Sequence, residues 1–359
     1  MNHSKRIAAL RELFTDNYNG MLITNLNNVR YLCGYSGSCG TLLVTKKDAV
    51  FFTDFRYQEQ SAAEIGDAAE IVIFKNNQIE TMKARIKKAR IKALGVEKSI
   101  NIRQFLLFSD EFKKDLYPTE NLVERLRQIK DADELKSLKK AFAIADGAFA
   151  ELMKVIKPGM TENEVAAHLE FFMKMAGSEA PSFATIIASG PNSSCPHHQP
   201  GSRKLKSGEM VKIDFGAVAD GYHSDMTRTV FLGKATAKFK KIYATVLEAQ
   251  KKAIKALKVG AICKDIDSVA RKVITDAGYG DNFGHGLGHS LGLDVHEAPS
   301  LSQKCEDEVR PGVTLTVEPG IYLPGWGGIR IEDTFMVQEK GLLRLTNTPN
   351  DLFEVTIRK

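Results

Sequence analysis

The C-terminal part of the chain repeats itself, and this internal duplication restricts the possible folds more than any other feature of the sequence. Lys157-Pro158-Gly159, before one predicted helix, resembles Lys258-Val259-Gly260 before another, and 101 residues separate their glycines. Lys206-Ser207-Gly208 and Arg310-Pro311-Gly312 each precede a predicted strand, and their glycines lie 104 residues apart. Lys-x-Gly is a common turn, but such near-constant spacing predicts two related halves within one domain.

Four carboxylates and one histidine occupy ordered positions in the repeated region. Asp214 and Glu318 each lie six residues after the strand glycine of their half, and each half offers a second carboxylate, Asp225 or Glu332. His289 adds an imidazole. The set carries a formal charge of about −4, which two divalent cations would balance. Such oxygen-rich ligands suit Mn²⁺, Co²⁺ or Fe²⁺ better than a thiolate-type structural zinc, and a paired-metal site indicates a hydrolase.

A β-hairpin explains how the first half would bring its two carboxylates together. The predicted strands 210–218 and 222–232 flank Asp220-Gly221, which is a strong turn signal. Asp214 and Asp225 are symmetric about a point beside that turn, so they would face each other directly or diagonally across the strands. Carboxylates at that distance repel one another unless a cation lies between them or one takes up a proton.

A chain of 359 residues is expected to form two domains. Residues 1–125 alternate strand-like and helix-like patterns, which predicts a small α/β domain. Its strands are expected at 20–24, 40–45, 49–53 and 71–74, and its helices at 4–14, 58–64 and 79–89. Residues 130–359 are expected to form the duplicated domain. A long amphipathic helix begins there at Asp133 and ends before Pro158, and the next helix begins with the capping-box pair Thr161 and Glu164.

Composition argues against several other classes of protein. No segment approaches the roughly 18 to 20 unbroken apolar residues of a membrane span, and residues 1–11 lack the apolar part of a signal peptide. We therefore expect a cytoplasmic protein without a membrane partner. The five cysteines include no C-x-x-C pair, which favours reduced thiols. The net charge of +6 lies largely in helix-like stretches such as 83–92, without the aromatic residues of a nucleic-acid surface, so no nucleic-acid partner is expected.

Five motifs in order resemble the aminopeptidase P, prolidase and methionine aminopeptidase family. They are Ile213-Asp214-Phe215-Gly216, Ser224-Asp225-Met226-Thr227-Arg228, Gly284-His285-Gly286-Leu287-Gly288-His289, Val317-Glu318-Pro319-Gly320 and Arg330-Ile331-Glu332-Asp333. The resemblance implies the pita-bread catalytic fold for residues 130–359. Gly34-Tyr35-Ser36-Gly37-Ser38 and Thr53-Asp54-Phe55-Arg56-Tyr57 resemble the N-terminal domain of the creatinase and prolidase branch, which implies that domain for residues 1–125. The expected fold class is therefore α/β (α+β), with a pseudo-twofold catalytic domain.

The resemblance also implies a role for each ligand. Asp214 would bind one metal ion through both of its oxygens. Asp225 and Glu332 would bridge the two ions. His289 and Glu318 would complete the second site, and Glu318 is the candidate shuttle for a proton on its way to the leaving nitrogen. Mn²⁺ is the expected ion, with Co²⁺, Fe²⁺ and Zn²⁺ as alternatives.

Further candidates lie outside the ligand set. The family has histidines at the positions of His197 and His296, where they contact the substrate and its scissile carbonyl. Arg330, two residues before Glu332, is expected to brace a ligand carboxylate by a charge-assisted hydrogen bond, with an ordinary salt bridge as the alternative. Three residues stay open between a part in the pocket and plain packing: His198, His285 and Trp326.

The two-domain layout favours an Xaa-Pro peptidase over methionine aminopeptidase, which usually lacks the N-terminal domain. The expected reaction removes an N-terminal residue that precedes proline in a small peptide, as in aminopeptidase P. An Xaa-Pro dipeptidase (prolidase) is the alternative. Some prolidases hold the dipeptide carboxylate with an arginine soon after the second histidine, whereas residues 296–300 contain no arginine. A creatinase-like amidinohydrolase and a non-enzymatic binding protein are disfavoured because both typically lose the ligands. A homodimer is also implied.

Overall fold

One six-stranded mixed sheet underlies the first of two structural units, Met1–Arg127. The computed structural model describes residues 1–351 and 353–355. The strands of this unit are β1 (Gly20–Ile23), β2 (Thr41–Thr45), β3 (Ala49–Asp54), β4 (Glu70–Phe74), β5 (Ala93–Glu97) and β6 (Asp115–Thr119), in the order β4-β3-β2-β1-β5-β6. The helices are α1 (His3–Glu12), α2 (Leu26–Cys33), α3 (Gln58–Ile65), α4 (Gln78–Lys88), α5 (Ile102–Phe112) and α6 (Leu122–Arg127).

The elements that the sequence patterns indicate in this unit are present, and the structure adds others. Helices α2, α5 and α6 and strands β5 and β6 were not predicted. Strand β5 is buried along its whole length, so its apolar residues do not alternate with polar ones. Strand β6 contains Pro118, which a sheet tolerates because β6 lies at its edge.

The first half of the second unit, Gln128–Lys359, begins with two helices. Its elements are α7 (Ala132–Val155), α8 (Glu162–Met175), β7 (Ile186–Ser189), β8 (Met210–Phe215), β9 (Val218–Ala219), β10 (Tyr222–His223) and β11 (Met226–Leu232). Thr161 caps α8 in the predicted capping box with Glu164. Strands β7, β8 and β11 form one sheet with β19 (Phe353–Val355), in the order β19-β11-β8-β7.

The second half repeats the order of two helices followed by strands, with two additional strands. It contains α9 (Ala237–Ala256), α10 (Cys263–Asp276), β12 (Gly288–Ser290), β13 (Glu297–Leu301), β14 (Thr314–Val317), β15 (Gly320–Leu323), β16 (Gly327–Arg330), β17 (Asp333–Val337) and β18 (Leu342–Arg344). The matched glycines behave alike: Gly159 N donates to Leu205 O at 2.8 Å, and Gly260 N donates to Val309 O at 3.0 Å. Both glycines have positive φ, 93° and 82°. The structure therefore has the predicted duplication.

The predicted hairpin is present, with one difference. Asp220 and Gly221 form the turn with φ of 51° and 77°, and β9 pairs with β10 beside it. Each arm of the hairpin was expected to be continuous, but each is divided into two short strands. Gly216 lies so close to the backbone of Ser224 that a side chain at position 216 would not fit, and the ladder is interrupted there.

Alternation along the strands separates the core from the polar side of the unit. Ile213 and Phe215 of β8 pack with α7 and α8 in one apolar cluster, so Asp214 between them faces the opposite side of the sheet. Leu315 and Val317 of β14 pack with α9 and α10 in a second cluster. The carboxylates of both halves consequently lie on the side away from the helices. Across residues 1–351 and 353–355, none of the helices combines the length and apolarity that crossing a membrane requires.

Candidate active site

The eight site residues predicted from the sequence line one cavity of about 530 Å³ in the second unit. They are Asp214, Asp225, His289, Glu318, Glu332, His197, His296 and Arg330. His198 and His285 line the same cavity, whereas Trp326 does not belong to its described lining. Residues separated by up to 135 positions in the chain are thus brought into one pocket by the fold.

The first half contributes its two aspartates through the pairing of β8 with β11. Asp214 is the register partner of Thr227. Asp225 lies two residues before Thr227, so it stands diagonal to Asp214 on the same side of the sheet. The hairpin therefore has the diagonal form of the two arrangements that the sequence allowed.

The second half contributes the imidazole and the two glutamates. His289 Nε2 lies 3.5 Å from Asp225 Oδ2 and 3.4 Å from Glu318 Oε1. One potential ligand atom each from Asp225, His289 and Glu332 fall within 4.8 Å of one another. Thr227 Oγ1 donates to Glu332 Oε2 at 2.8 Å, which fixes that carboxylate at the boundary between the halves.

Two buried carboxylate oxygens have no hydrogen-bond donor within the described part of the chain. They are Asp214 Oδ1 and Glu332 Oε1. A buried polar atom without a partner is costly, and a carboxylate oxygen left in that state indicates an ion or a water as its missing partner. Two of the assigned ligands therefore each keep one oxygen unsatisfied. The expected binding of Asp214 through both oxygens also needs Oδ2, which accepts a hydrogen bond from Arg330 Nη2.

The electrostatics of the cavity agree with a site built for cations. Burial and the neighbouring Glu332 raise the pKa of Asp225 well above its usual range. Burial and Glu318 raise the pKa of Glu332 in the same way. Burial raises the pKa of Glu318 to about 7. The pKa of His289 is lowered by burial, which favours the neutral imidazole that binds metals. Divalent cations would allow all of these carboxylates to ionise, so the donor set fits two metal ions.

Arg330 connects the two halves beside this donor set. Its Nη2 donates to Asp214 Oδ2, and its Nε donates to Thr227 Oγ1 at 3.0 Å. Its Nη1 donates to Tyr322 Oη at 2.9 Å, and that hydroxyl lies 2.8 Å from His285 Nε2. The guanidinium thus holds one oxygen of Asp214 while leaving the other available.

The remaining histidines lie around the cavity. His197 and His296 are exposed, and the rings of His289 and His296 are 4.4 Å apart between centroids. Burial, followed by the repulsion of Arg330, lowers the pKa of His285 to about 4, so His285 is neutral at neutral pH. His197 and His296 are therefore exposed imidazoles of the cavity, whereas His285 is hydrogen-bonded to Tyr322.

Comparison with known proteins agrees with this geometry. Residues 136–339 match metallopeptidase family M24. The chain belongs to metallopeptidase family M24. Residues 6–129 match the creatinase/prolidase N-terminal domain, so the predicted family and the predicted fold are confirmed. As an M24 protein the chain is a metallopeptidase that uses divalent metal.

Three relatives of this M24 peptidase cover nearly the whole chain. The Xaa-Pro dipeptidase of Pyrococcus horikoshii is 39% identical over 338 residues, which cover 92% of this chain and 93% of that protein. The structure of an Xaa-Pro dipeptidase from Bacillus anthracis has a TM-score of 0.95 and 40% identity, over 98% of this chain and 99% of that one. The X-Pro aminopeptidase of Thermotoga maritima has a TM-score of 0.89 and 36% identity, over 94% and 98% of the two chains.

The sequence did not decide the roles of His198 and Trp326 in this M24 chain, and the structure shows what each of them contacts. His198 Nε2 lies 2.9 Å from Glu162 Oε2, so it fastens the loop next to His197. Trp326 packs against the core of the second half, with Lys238 Nζ 4.6 Å from its ring centroid. It covers that core.

Four polar residues of the site were not found from the sequence: Lys212, Thr227, Thr316 and Tyr322. A signal for two of them exists. Lys212 precedes Asp214 by two residues and Thr316 precedes Glu318 by two, so each shares a strand face with a ligand. A polar residue two positions before a ligand, on the face that carries that ligand, is therefore a candidate for supporting that site.

Proposed function

We propose that this M24 peptidase releases an N-terminal residue that precedes proline, using two divalent ions held by the five predicted ligands. The observation that carries the proposal is the convergence of three buried carboxylates, the partly buried Glu318 and a neutral imidazole in one cavity, with two carboxylate oxygens unsatisfied. The preference for proline is supported by the relatives at 36–40% identity, two Xaa-Pro dipeptidases and an X-Pro aminopeptidase. Mn²⁺ is the proposed ion, with Co²⁺, Fe²⁺ and Zn²⁺ as alternatives.

Each residue of the site has its own role in the proposed reaction. When bound, the two ions supply Lewis acidity and a water molecule of lowered pKa. Arg330 orients Asp214 through a charge-assisted hydrogen bond. Glu318 carries a proton on its carboxylate to the leaving nitrogen, and Thr316 Oγ1 steadies Glu318 Oε1 at 3.2 Å. His197 and His296 contact the peptide from the exposed side of the cavity.

The chemistry of the cavity favours peptides longer than two residues. Ser300 and Ser302 line the cavity just beyond His296, where some prolidases have an arginine for the carboxylate of the dipeptide. Arg330 is the one Lys or Arg among the described lining residues, and its nitrogens are occupied by Asp214 and Tyr322. An aminopeptidase P type of activity is therefore the proposal. Dipeptidase activity is the second candidate, because relatives at 39% and 40% identity are named Xaa-Pro dipeptidases.

The proposal is tested with matched peptides, Ala-Pro and Ala-Pro-Ala, with Ala-Ala-Ala as the control without proline. The protein is stripped of metal with a chelator and assayed for release of alanine with and without Mn²⁺ or Co²⁺. We expect metal-dependent cleavage of Ala-Pro-Ala. Cleavage of Ala-Pro alone would assign a dipeptidase, and cleavage of neither proline peptide would overturn the proposal. A homodimer belongs to the same proposal and is tested by light scattering.

A further inference from the structure

We propose that Lys212 and Glu162 are positioning residues that hold His197 in place from either side of its loop. The His197 loop, residues 190–203, joins the end of β7 to the segment before β8. The inference rests on the proposed contact of His197 with the peptide. It assigns a role to Lys212 and Glu162, two buried charged residues that are not among the five predicted metal ligands.

Lys212 holds the part of the loop that precedes His197. Its side chain projects from the ligand-bearing face of β8 and is fully buried. Its Nζ donates to the carbonyl oxygens of Ser193 at 3.2 Å, Cys195 at 2.7 Å and Pro196 at 3.2 Å. An ammonium has three N–H donors and no acceptor, so three carbonyls satisfy it completely. Pro196 directly precedes His197, so Lys212 anchors the backbone one residue away from that histidine.

The burial of Lys212 indicates a purpose other than stability. Burying an ammonium is costly, and an apolar side chain of similar size often serves a core equally well. Within the described residues, no carboxylate lies at ion-pair distance from its Nζ. Besides the three carbonyls, the ring of Tyr322, whose centroid is 5.2 Å from Nζ, and the negative charge of Asp214 favour the ammonium. The hydrogen bonds to the His197 loop are thus the direct polar contacts that offset the cost of burial.

Glu162 holds the remaining parts of the same loop. It is the first residue of α8 and is fully buried. Its Oε1 accepts from Ser189 N at 2.8 Å and from Asn192 Nδ2 at 3.0 Å. Its Oε2 lies 2.9 Å from His198 Nε2 and accepts from Gly201 N at 3.2 Å. The loop is therefore fastened on both sides of His197, while the imidazole of His197 itself stays exposed.

The second half of the unit supports this interpretation independently. Thr316 occupies the position that corresponds to Lys212, because each lies two residues before the first carboxylate of its half. Thr316 Oγ1 accepts a hydrogen bond from His289 N at 3.0 Å. The same position in both halves thus fastens the segment that bears a histidine of the site.

The test combines the Lys212→Met and His197→Ala variants with two readouts. Methionine matches lysine in length but donates no hydrogen bond. We expect Lys212→Met to reduce kcat for Ala-Pro-Ala by about 10- to 100-fold, as for other residues that orient an active-site group. In the His197→Ala background, Lys212→Met should change kcat by less than about twofold, because the group that it positions is gone. Hydrogen exchange of residues 190–203 should become faster.

Lys130→Met is the matched control. The Lys130 side chain is equally buried, but its Nζ bonds Ser290 Oγ at 3.1 Å and Glu297 Oε2 at 3.0 Å, beside the segment that carries His296. Its effect on kcat should be unchanged by His197→Ala, and its exchange should change at 289–297 instead. Glu162→Gln, which keeps the shape of the carboxylate, should resemble Lys212→Met in both readouts.

Three outcomes separate the possibilities. An equal effect of Lys212→Met in both backgrounds, with unchanged exchange of the His197 loop, would overturn the inference. If Lys212→Met does not fold, Lys212→Gln, which keeps an amide donor, carries the same test and should show a smaller effect of the same kind. If the parent protein cleaves no proline peptide, the proposed function fails, and the exchange of the loop still decides whether Lys212 and Glu162 hold it.

Discussion

The two halves of the M24 unit share one backbone plan but fasten their histidine segments by different chemistry. In the first half, the buried ammonium of Lys212 binds carbonyl oxygens of an irregular loop. In the second, the hydroxyl of Thr316 binds His289, which lies in strand β12. An irregular loop leaves backbone carbonyls unpaired that an ammonium can bind, whereas most backbone groups of a strand residue are already paired with a neighbouring strand. The duplication therefore determined where the ligands lie. The backbone structure of each histidine segment determined which side chain can hold that segment.

The hairpins of the two halves also differ in what they contact. In the first half, β9 and β10 pack towards α7, where Tyr222 Oη donates to Glu134 Oε1 at 3.0 Å. In the second half, β15 carries Tyr322 and β16 carries Arg330, which donates to Tyr322 Oη and to Asp214 of the first half. The second hairpin therefore supplies a side chain that completes the site across the boundary, whereas the first meets the other half through its backbone, where His223 N donates to Gly292 O at 2.8 Å. Variants in each half separate these contributions.

The largest effect is expected from Asp225→Asn, which removes the charge of a ligand from the first half. Loss of a shared metal site costs several kcal/mol in the transition state, so kcat should fall by at least about 1,000-fold. Bound metal, measured by mass spectrometry, should fall with it. Asp220→Asn is the matched control, since Asp220 forms an exposed ion pair at the hairpin turn and should leave kcat unchanged. Full turnover of Asp225→Asn with two ions bound would contradict the ligand role.

A smaller loss is expected from Arg330→Lys, which removes the bridge from the second half to the first. Lysine cannot reproduce the guanidinium contacts to Asp214, Thr227 and Tyr322 together. We expect kcat or metal affinity to fall by about 10- to 100-fold, measured by peptide assay and metal titration. Arg85→Lys, in the first unit, is the control and should behave as the parent protein. An unchanged Arg330→Lys enzyme would show that the bridge is an ordinary ion pair.

The pH dependence of stability tests the acidic part of both halves together. Burial raises the pKa of Glu318 from 4.5 to about 7, so the metal-free folded protein retains a proton that the unfolded chain loses. The contribution of Glu318 to metal-free stability should therefore fall as the pH rises from about 4.5 through about 7. Mn²⁺ competes with that proton, so the gain in Tm on adding Mn²⁺ should be about a few degrees larger at pH 8 than at pH 6. A gain that decreases with pH would contradict the account.

The smallest effects compare two equivalent glycines. Gly208 and Gly312 have φ of 81° and 86°, so alanine should cost about 1 to 2 kcal/mol at either position. A Cβ at Gly208 meets no atom within 4 Å, whereas one at Gly312 would lie 2.8 Å from Ile129 Cγ2. Gly312→Ala should therefore lower the urea midpoint more than Gly208→Ala. The reverse order would show that the two turns are not equivalent.

The sequence predicted the features that have local signals. Asp220-Gly221 indicated the hairpin, and Thr161 with Glu164 indicated the start of α8. The duplication followed from the near-constant spacing of the Lys/Arg-x-Gly motifs, whose glycines have positive φ in the structure. Strand β5 was not predicted, because burial on both faces removes the alternation that indicates a strand. The role of Lys212 was also beyond the sequence, because a lysine is usually exposed and only the fold brings the carbonyls of the His197 loop to it.

The central claim is that the two halves together hold one pair of divalent ions. The most direct measurement is the number of Mn²⁺ ions bound per chain after reconstitution and dialysis, for the parent protein and for Asp225→Asn and Glu332→Gln. The account predicts two ions for the parent protein and fewer than two for each variant, since each removes a ligand from a different half. A parent protein that binds one ion or none, or variants that both retain two, would contradict it.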